Sequence, residues 1–127
     1  DVESRGLGDV YKRQGQEEIA KMMSDYRSDP PRSLGGSPIV VIKDYLNGEA
    51  LDLTNGSKTP IDMERSNVLQ FTTADSTVVS IRPSGTEPKI KFYFGVRAEL
   101  NDTARFGEVQ AELDGKIESI KKEMGLV

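Results

Sequence analysis

The run SIRPSGTEPKIKFYF, Ser80–Phe94, decides how the chain folds. Both of its ends alternate. Upstream, Val79 and Ile81 alternate with Val78, Ser80 and Arg82. Downstream, Ile90, Phe92, Phe94 and Val96 fall on one side of an extended chain, and Lys89, Lys91, Tyr93 and Arg97 fall on the other. A period of two predicts two strands, Thr77 to Arg82 and Lys89 to Arg97, with a turn at PSGTEP between them. So short a connection makes the two strands antiparallel neighbours. A slip of one residue would bury lysines and expose phenylalanines, so the pattern itself fixes the register.

Working outward, Ser66 to Thr73 reads as a further strand, joined through Ala74-Asp75-Ser76 to the first of the pair. Ile39 to Tyr45, IVVIKDY, is short and β-branched and adds a fourth strand. Leu46 to Arg65 is polar, with turn signals at Asn47-Gly48 and Asn55-Gly56, and reads as a long connection or irregular hairpin. From Gln16 to Arg27 the period changes. Ile19, Met22, Met23 and Tyr26 form a helical stripe that stops at SDPP, and SLGGS then reads as a flexible joint. A last helix is expected from about Asp102, with Phe106, Val109, Leu113, Ile117, Ile120 and Met124 on its apolar side. Lys121 and Lys122 suit its C-terminal dipole, and Gly125 suits its end. The expected fold is α+β: two layers, an antiparallel four-stranded sheet covered by two helices. Residues 1–14, DVESRGLGDVYKRQ, show neither period. They are expected to be a disordered or non-native segment, and DVYKRQ resembles translated sequencing-adaptor sequence. Residues 15–127 then form one domain.

Composition narrows the chemistry. The chain has 127 residues and a formal net charge of −4, from 17 Lys+Arg against 21 Asp+Glu. A polyanion needs a broad cationic face, so neither nucleic acid nor an anionic membrane is expected as a partner. Cysteine and histidine are both absent. That removes disulfides, thiolate chemistry and the commonest metal ligand and general base. Asp52, Asp62 and Glu64 are spaced like loop solvation rather than a metal cage. No run is apolar enough to span a membrane, and no secretory pattern opens the chain. A cytoplasmic setting is therefore expected.

Against that acidic background, Arg82 to Arg97 holds four basic residues and one acidic one, Glu87. Arg82 offers a planar fork that matches phosphate, and a lysine adds a point charge. Ser84 and Thr86 add hydroxyls. Gly85 allows a positive φ or a close approach of backbone to a ligand. Successive amides in such a turn can form an anion nest. From composition alone, a glycine turn with solvated charges explains the run as well as an anion site does. Glu87 would repel a phosphate it faced, so it is expected to orient Arg82, Lys89 or a backbone amide.

RPSGTEPKIKFYF resembles the phosphate-binding signature of the α-D-phosphohexomutase superfamily, which lies in the fourth, C-terminal domain of phosphoglucomutases and phosphomannomutases. The flanking GGSPIVVIKDY and SNVLQFTTADSTVVS are similar to the bacterial phosphoglucomutase branch, and the likeness runs from about Gln16 to Val127. The resemblance implies a fold like that of the TATA-binding protein. It also implies an enzyme that interconverts sugar 1-phosphates and 6-phosphates through a phosphoserine and a bisphosphorylated sugar, with magnesium held in another domain and the sugar 1,6-bisphosphate as activator. By the same resemblance, Arg82, Ser84, Gly85 and Thr86 match the phosphate clamp, with Lys89 and Lys91 as weaker members. No phosphoserine loop and no aspartate-rich metal loop appear in the chain, so catalytic and metal residues are expected in missing N-terminal domains and the isolated chain is expected to be inactive. A phosphopentomutase of the same superfamily and a stand-alone sugar-phosphate-binding module are the alternatives. A nucleic-acid-binding sheet is disfavoured, because Phe92 and Phe94 share the apolar side with Ile90.

Overall fold

The computed structural model describes residues 2–6, 10–12, 15–98 and 106–126. The described elements are β1 (Val2–Gly6), β2 (Val10–Lys12), α1 (Gln16–Ser28), β3 (Ser33–Leu34), β4 (Ser37–Asp44), β5 (Glu49–Asp52), β6 (Lys58–Pro60), β7 (Leu69–Thr73), β8 (Val78–Pro83), β9 (Lys89–Ala98) and α2 (Phe106–Glu123). The sheet runs β1-β9-β8-β7-β4-β5-β6, with β2 also on β9 and β3 on β4. All described pairings are antiparallel.

The expected meander is β7–β8–β9, and β4 joins it at β7. Val79 lies opposite Phe94 and Ile81 opposite Phe92. On the other side of β8, Val79 and Ile81 meet Phe71 and Leu69. These side chains, with Ile90 and Val96, are buried and form the sheet's half of one core. The helices supply the other half through Met23 of α1 and Val109, Leu113 and Ile120 of α2. Tyr26 sets its ring edge-on to Phe71 and Phe92, with centroids 6.3 and 6.5 Å away. Both helices therefore cover one sheet face. The alternation that buries Ile90, Phe92, Phe94 and Val96 leaves Lys89, Lys91, Tyr93 and Arg97 on the other face.

Several expectations are corrected. Leu46 to Arg65 is not only a connection, because β5 and β6 extend the sheet beyond β4. Their side chains are half-buried or exposed, so no apolar alternation announces them. SLGGS is not a flexible joint but a two-residue hairpin that pairs Leu34 with Ser37. Gly35 and Gly36 have φ of 61° and 77°, as a turn matched to sheet twist requires. The Gly35 N–H donates to Glu123 Oε2 at 2.9 Å, tying this hairpin to the end of α2. Within the stretch expected to be disordered or non-native, the described strands β1 and β2 lie along β9, so the backbone of this strand is paired on both edges. Backbone pairing of this kind leaves no hydrophobic period to read. The α2 cap expected at Asp102 lies outside the described residues. At its other end the Leu126 N–H bonds the Lys121 carbonyl and the Gly125 N–H bonds the Lys122 carbonyl, at 2.8 and 3.1 Å. That double bond is a Schellman close, with Leu126 buried beneath it.

Candidate anion-binding turn

The turn Ser84–Pro88 joins β8 to β9. It begins where the Ser84 N–H donates to the Lys89 carbonyl at 2.9 Å, closing the ribbon. Beyond that bond the polar groups are sparsely used. Ser84 Oγ accepts from the N–H groups of Thr86 and Glu87 at 3.4 and 3.3 Å, both at the long, weak end of hydrogen bonding. The Gly85 N–H has no acceptor among the described residues. The Gly85 amide thus has no described acceptor, and those of Thr86 and Glu87 lean on one hydroxyl oxygen. Ser84 accepts here, and its own hydrogen is left to donate outward. Thr86 is exposed and its hydroxyl has no described partner.

Of the two uses expected of Gly85, a positive φ or a close approach of a ligand, the first does not apply, since its φ is not positive. A Cβ built there meets nothing within 4 Å. Backbone strain therefore does not call for glycine, which leaves close approach from outside as the remaining physical reason for it.

Strand register places the cations. Arg82 is directly opposite Lys91, just before the turn on the open face of the sheet. Side chains so placed have Cβ atoms about 4.5–5.5 Å apart, and like charges there are destabilising. Among the described residues neither Arg82 nor Lys91 has a hydrogen-bond or ion-pair partner. On the open face of β7, β8 and β9 the neighbouring side chains are Gln70, Thr72, Val78, Ser80, Tyr93 and Arg97, none of them acidic. Gln70 Nε2 donates to Ser80 Oγ at 3.1 Å, so even the polar pair beside the cations satisfies itself without neutralising them.

Lys89 differs from Lys91. Its Nζ sits 2.7 Å from Glu87 Oε2, and its N–H donates to the Glu87 carbonyl at 2.7 Å. Glu87 thus orients Lys89, one of the roles expected for it. Arg82, Ser84, Gly85, Thr86, Lys89 and Lys91 therefore gather around one end of the β8–β9 ribbon.

The opposite kind of surface lies between the C-terminal ends of the helices. A groove of about 530 Å³ is lined by Met22, Asp25, Tyr26, Asp29, Pro31, Glu123 and Met124. Its three carboxylates exclude it as an anion site. Among the described residues no three His, Cys, Asp or Glu side chains converge, and no helix is long and apolar enough to cross a membrane.

Comparison with known proteins adds the family. Residues 12–116 match the family model described as phosphoglucomutase/phosphomannomutase, C-terminal domain. Over 93 residues, 72% of this chain, the sequence is 36% identical to a phosphoglucomutase of Staphylococcus aureus strain MRSA252 and 34% identical to that of strain N315. With the enzyme of strain MSSA476 the identity is 35% over 89 residues. The aligned part spans only 17% of the first two relatives and 16% of the third. The match runs from the end of β2 into α2 and takes in the ribbon with RPSGTEPK at its turn, and the chain belongs to the family of phosphoglucomutase/phosphomannomutase C-terminal domains.

Proposed function

We propose that this domain grips the non-reacting phosphate of a phosphosugar in a cytoplasmic phosphoglucomutase or phosphomannomutase. One observation carries the reading: Arg82 and Lys91 face each other across β8 and β9 with no partner among the described residues. Two like charges held together cost stability, and an anion between them removes that cost. The amides of Gly85, Thr86 and Glu87 and the hydroxyls of Ser84 and Thr86 complete a ring of donors for phosphate oxygens.

Phosphoryl transfer is mostly positioning and electrostatics. A phosphate held far from the reacting end turns binding energy into alignment there. The chain contributes this grip, and the residues that pass the phosphoryl group between sugar and serine belong to other domains. Magnesium belongs with those domains too. Interconversion of sugar 1-phosphate and 6-phosphate through a bisphosphorylated intermediate requires the clamp to hold either phosphate in turn. A turn of main-chain amides and a flexible pair of cations suits that demand, because none of these groups reads the sugar.

Titration of the 127-residue chain with glucose 1-phosphate tests the reading. Arg82→Ala is expected to weaken binding by about tenfold or more, the scale of a charge-assisted hydrogen bond, with the melting temperature unchanged or slightly raised. Undiminished affinity in the variant would rule the clamp out. Addition of the chain alone to glucose 1-phosphate is expected to yield no glucose 6-phosphate.

A further inference from the structure

Lys89 and Lys91 sit two residues apart on the same face of β9, yet only one of them is already neutralised. Lys91 has no described partner, while Lys89 is closed onto Glu87 at 2.7 Å. The contact is local and doubled, since the Lys89 N–H also bonds the Glu87 carbonyl. The Glu87 N–H in turn leans on Ser84 Oγ. Glu87 thus places its charge inside the very turn whose amides are the best anion donors.

We propose that Glu87 is a built-in counter-anion: it holds Lys89 in an ion pair that an incoming phosphate must exchange, and so sets how weakly the turn holds its ligand. The inference rests on the clamp reading above, and deepens it by dividing the cations into a ready pair, Arg82 and Lys91, and a reserved one, Lys89. The physical ground is the difference in occupancy. A dianion arriving at Arg82 and Lys91 gains Lys89 only by displacing a carboxylate, which then remains close to the new negative charge. The net gain from the third cation is therefore small while Glu87 is present. A clamp that must release its phosphate at each turnover benefits from such a limit, because binding that is equally tight throughout the cycle does not speed the chemical step. Glu87 is on this account a positioning residue that acts through Lys89.

Methyl phosphate serves as the probe, because the clamp reading asks only for a phosphate monoester. Its binding to the full 127-residue chain is measured by the amide shifts of Gly85 and Thr86. Glu87→Gln is expected to tighten binding by about two- to fivefold at pH 7.5, the range an exposed ion pair carries. In a Lys89→Gln background the same change is expected to have little effect. The gain is expected to shrink at pH 5.5, where a monoester with second pKa of about 6 is largely a monoanion. A loop merely loosened by the substitution would not follow the ligand's charge. Weaker or unchanged binding by Glu87→Gln, alongside loss of binding in Arg82→Ala, would overturn the counter-anion role and leave the clamp standing. Full binding by Arg82→Ala would overturn both.

Discussion

Two turns of the same meander, at opposite ends of the sheet, use their polar groups in opposite ways. The turn between β7 and β8, Ala74-Asp75-Ser76, satisfies itself. Asp75 Oδ1 accepts from the hydroxyls of Thr73 at 2.5 Å and Thr77 at 2.9 Å. Lys116 of α2 donates to Asp75 Oδ2. The Asp75 N–H donates to Ser37 Oγ, and the Ala74 N–H to the Pro38 carbonyl, so β4 is tied in as well. Thr73 and Thr77 are buried. The turn between β8 and β9 leaves Arg82 and Lys91 without a partner and the Gly85 amide without an acceptor among the described residues, and the Thr86 hydroxyl exposed. Both have short polar sequences, ADS and PSGTEP. The comparison teaches that polar content alone does not mark a site. What marks it is polar capacity that the fold leaves unused.

The largest expected effect breaks the self-satisfied turn. Asp75→Ala removes the acceptor for two buried hydroxyls and for Lys116, and is expected to cost about 1–3 kcal/mol, the range for leaving buried polar groups unsatisfied. Chemical denaturation measures this, and phosphate affinity at the far turn is expected to be unchanged. The same residue gives a pH signature. Partial burial pushes its carboxyl up, but the Lys116 hydrogen bond, those of Thr73 and Thr77, and the Lys116 charge together outweigh this and hold it at about 2 rather than 3.8. A depressed carboxylate contributes its stability fully above the unfolded value and loses it as pH falls through the folded one. Stability measured from pH 4 down to about 2 is therefore expected to fall more steeply in the parent chain than in Asp75→Asn. Parallel curves would mean that the network contributes nothing linked to ionisation.

A smaller effect, with the opposite sign, is expected at the open turn. Lys91→Gln removes one of two like charges held opposite each other. Without anion it is expected to raise stability by about 0.2–1 kcal/mol, the scale of a cross-strand pair. With saturating phosphate the parent chain is expected to recover the difference, because ligand that binds only the folded state stabilises it. A destabilised variant in plain buffer would mean that Lys91 packs against the sheet in a way its charge does not reveal.

The alternation of β9 and the stripe of α2 were legible because each buries a continuous face, and that was enough for the two layers and the meander. β5 and β6 were not legible, since strands with little buried side chain carry no period. The Asp75 network was hidden for another reason: Lys116 is 41 residues away in sequence, and nothing local in ADS predicts its arrival. At the candidate site, the residue types and their gathering on one turn could be read from Arg82 to Lys91. The pairing of Arg82 with Lys91, rather than with Lys89, depends on register across the turn, and only the three-dimensional pairing supplies it. The same pairing separates two lysines that look equivalent in the sequence.

The smallest expected effect on the fold is the sharpest probe of how the turn holds its ligand. Gly85 lacks a positive φ, and a Cβ at this position meets no atom within 4 Å. Gly85→Ala is therefore expected to leave stability within about 0.5 kcal/mol of the parent, as for a surface substitution away from any special feature. Its effect on binding depends on which groups touch the phosphate. If the Gly85 and Thr86 amides do, the methyl group stands where the oxygens approach, and affinity for glucose 1-phosphate is expected to fall several-fold with Arg82 and Lys91 still in place. If the cations alone hold the ligand, affinity is unchanged and the turn is only a spacer between them. The amide with no acceptor among the described residues argues for the first outcome. A buried Asp75-type network could not make this distinction, because there any change of side chain disturbs the fold before it reaches a ligand.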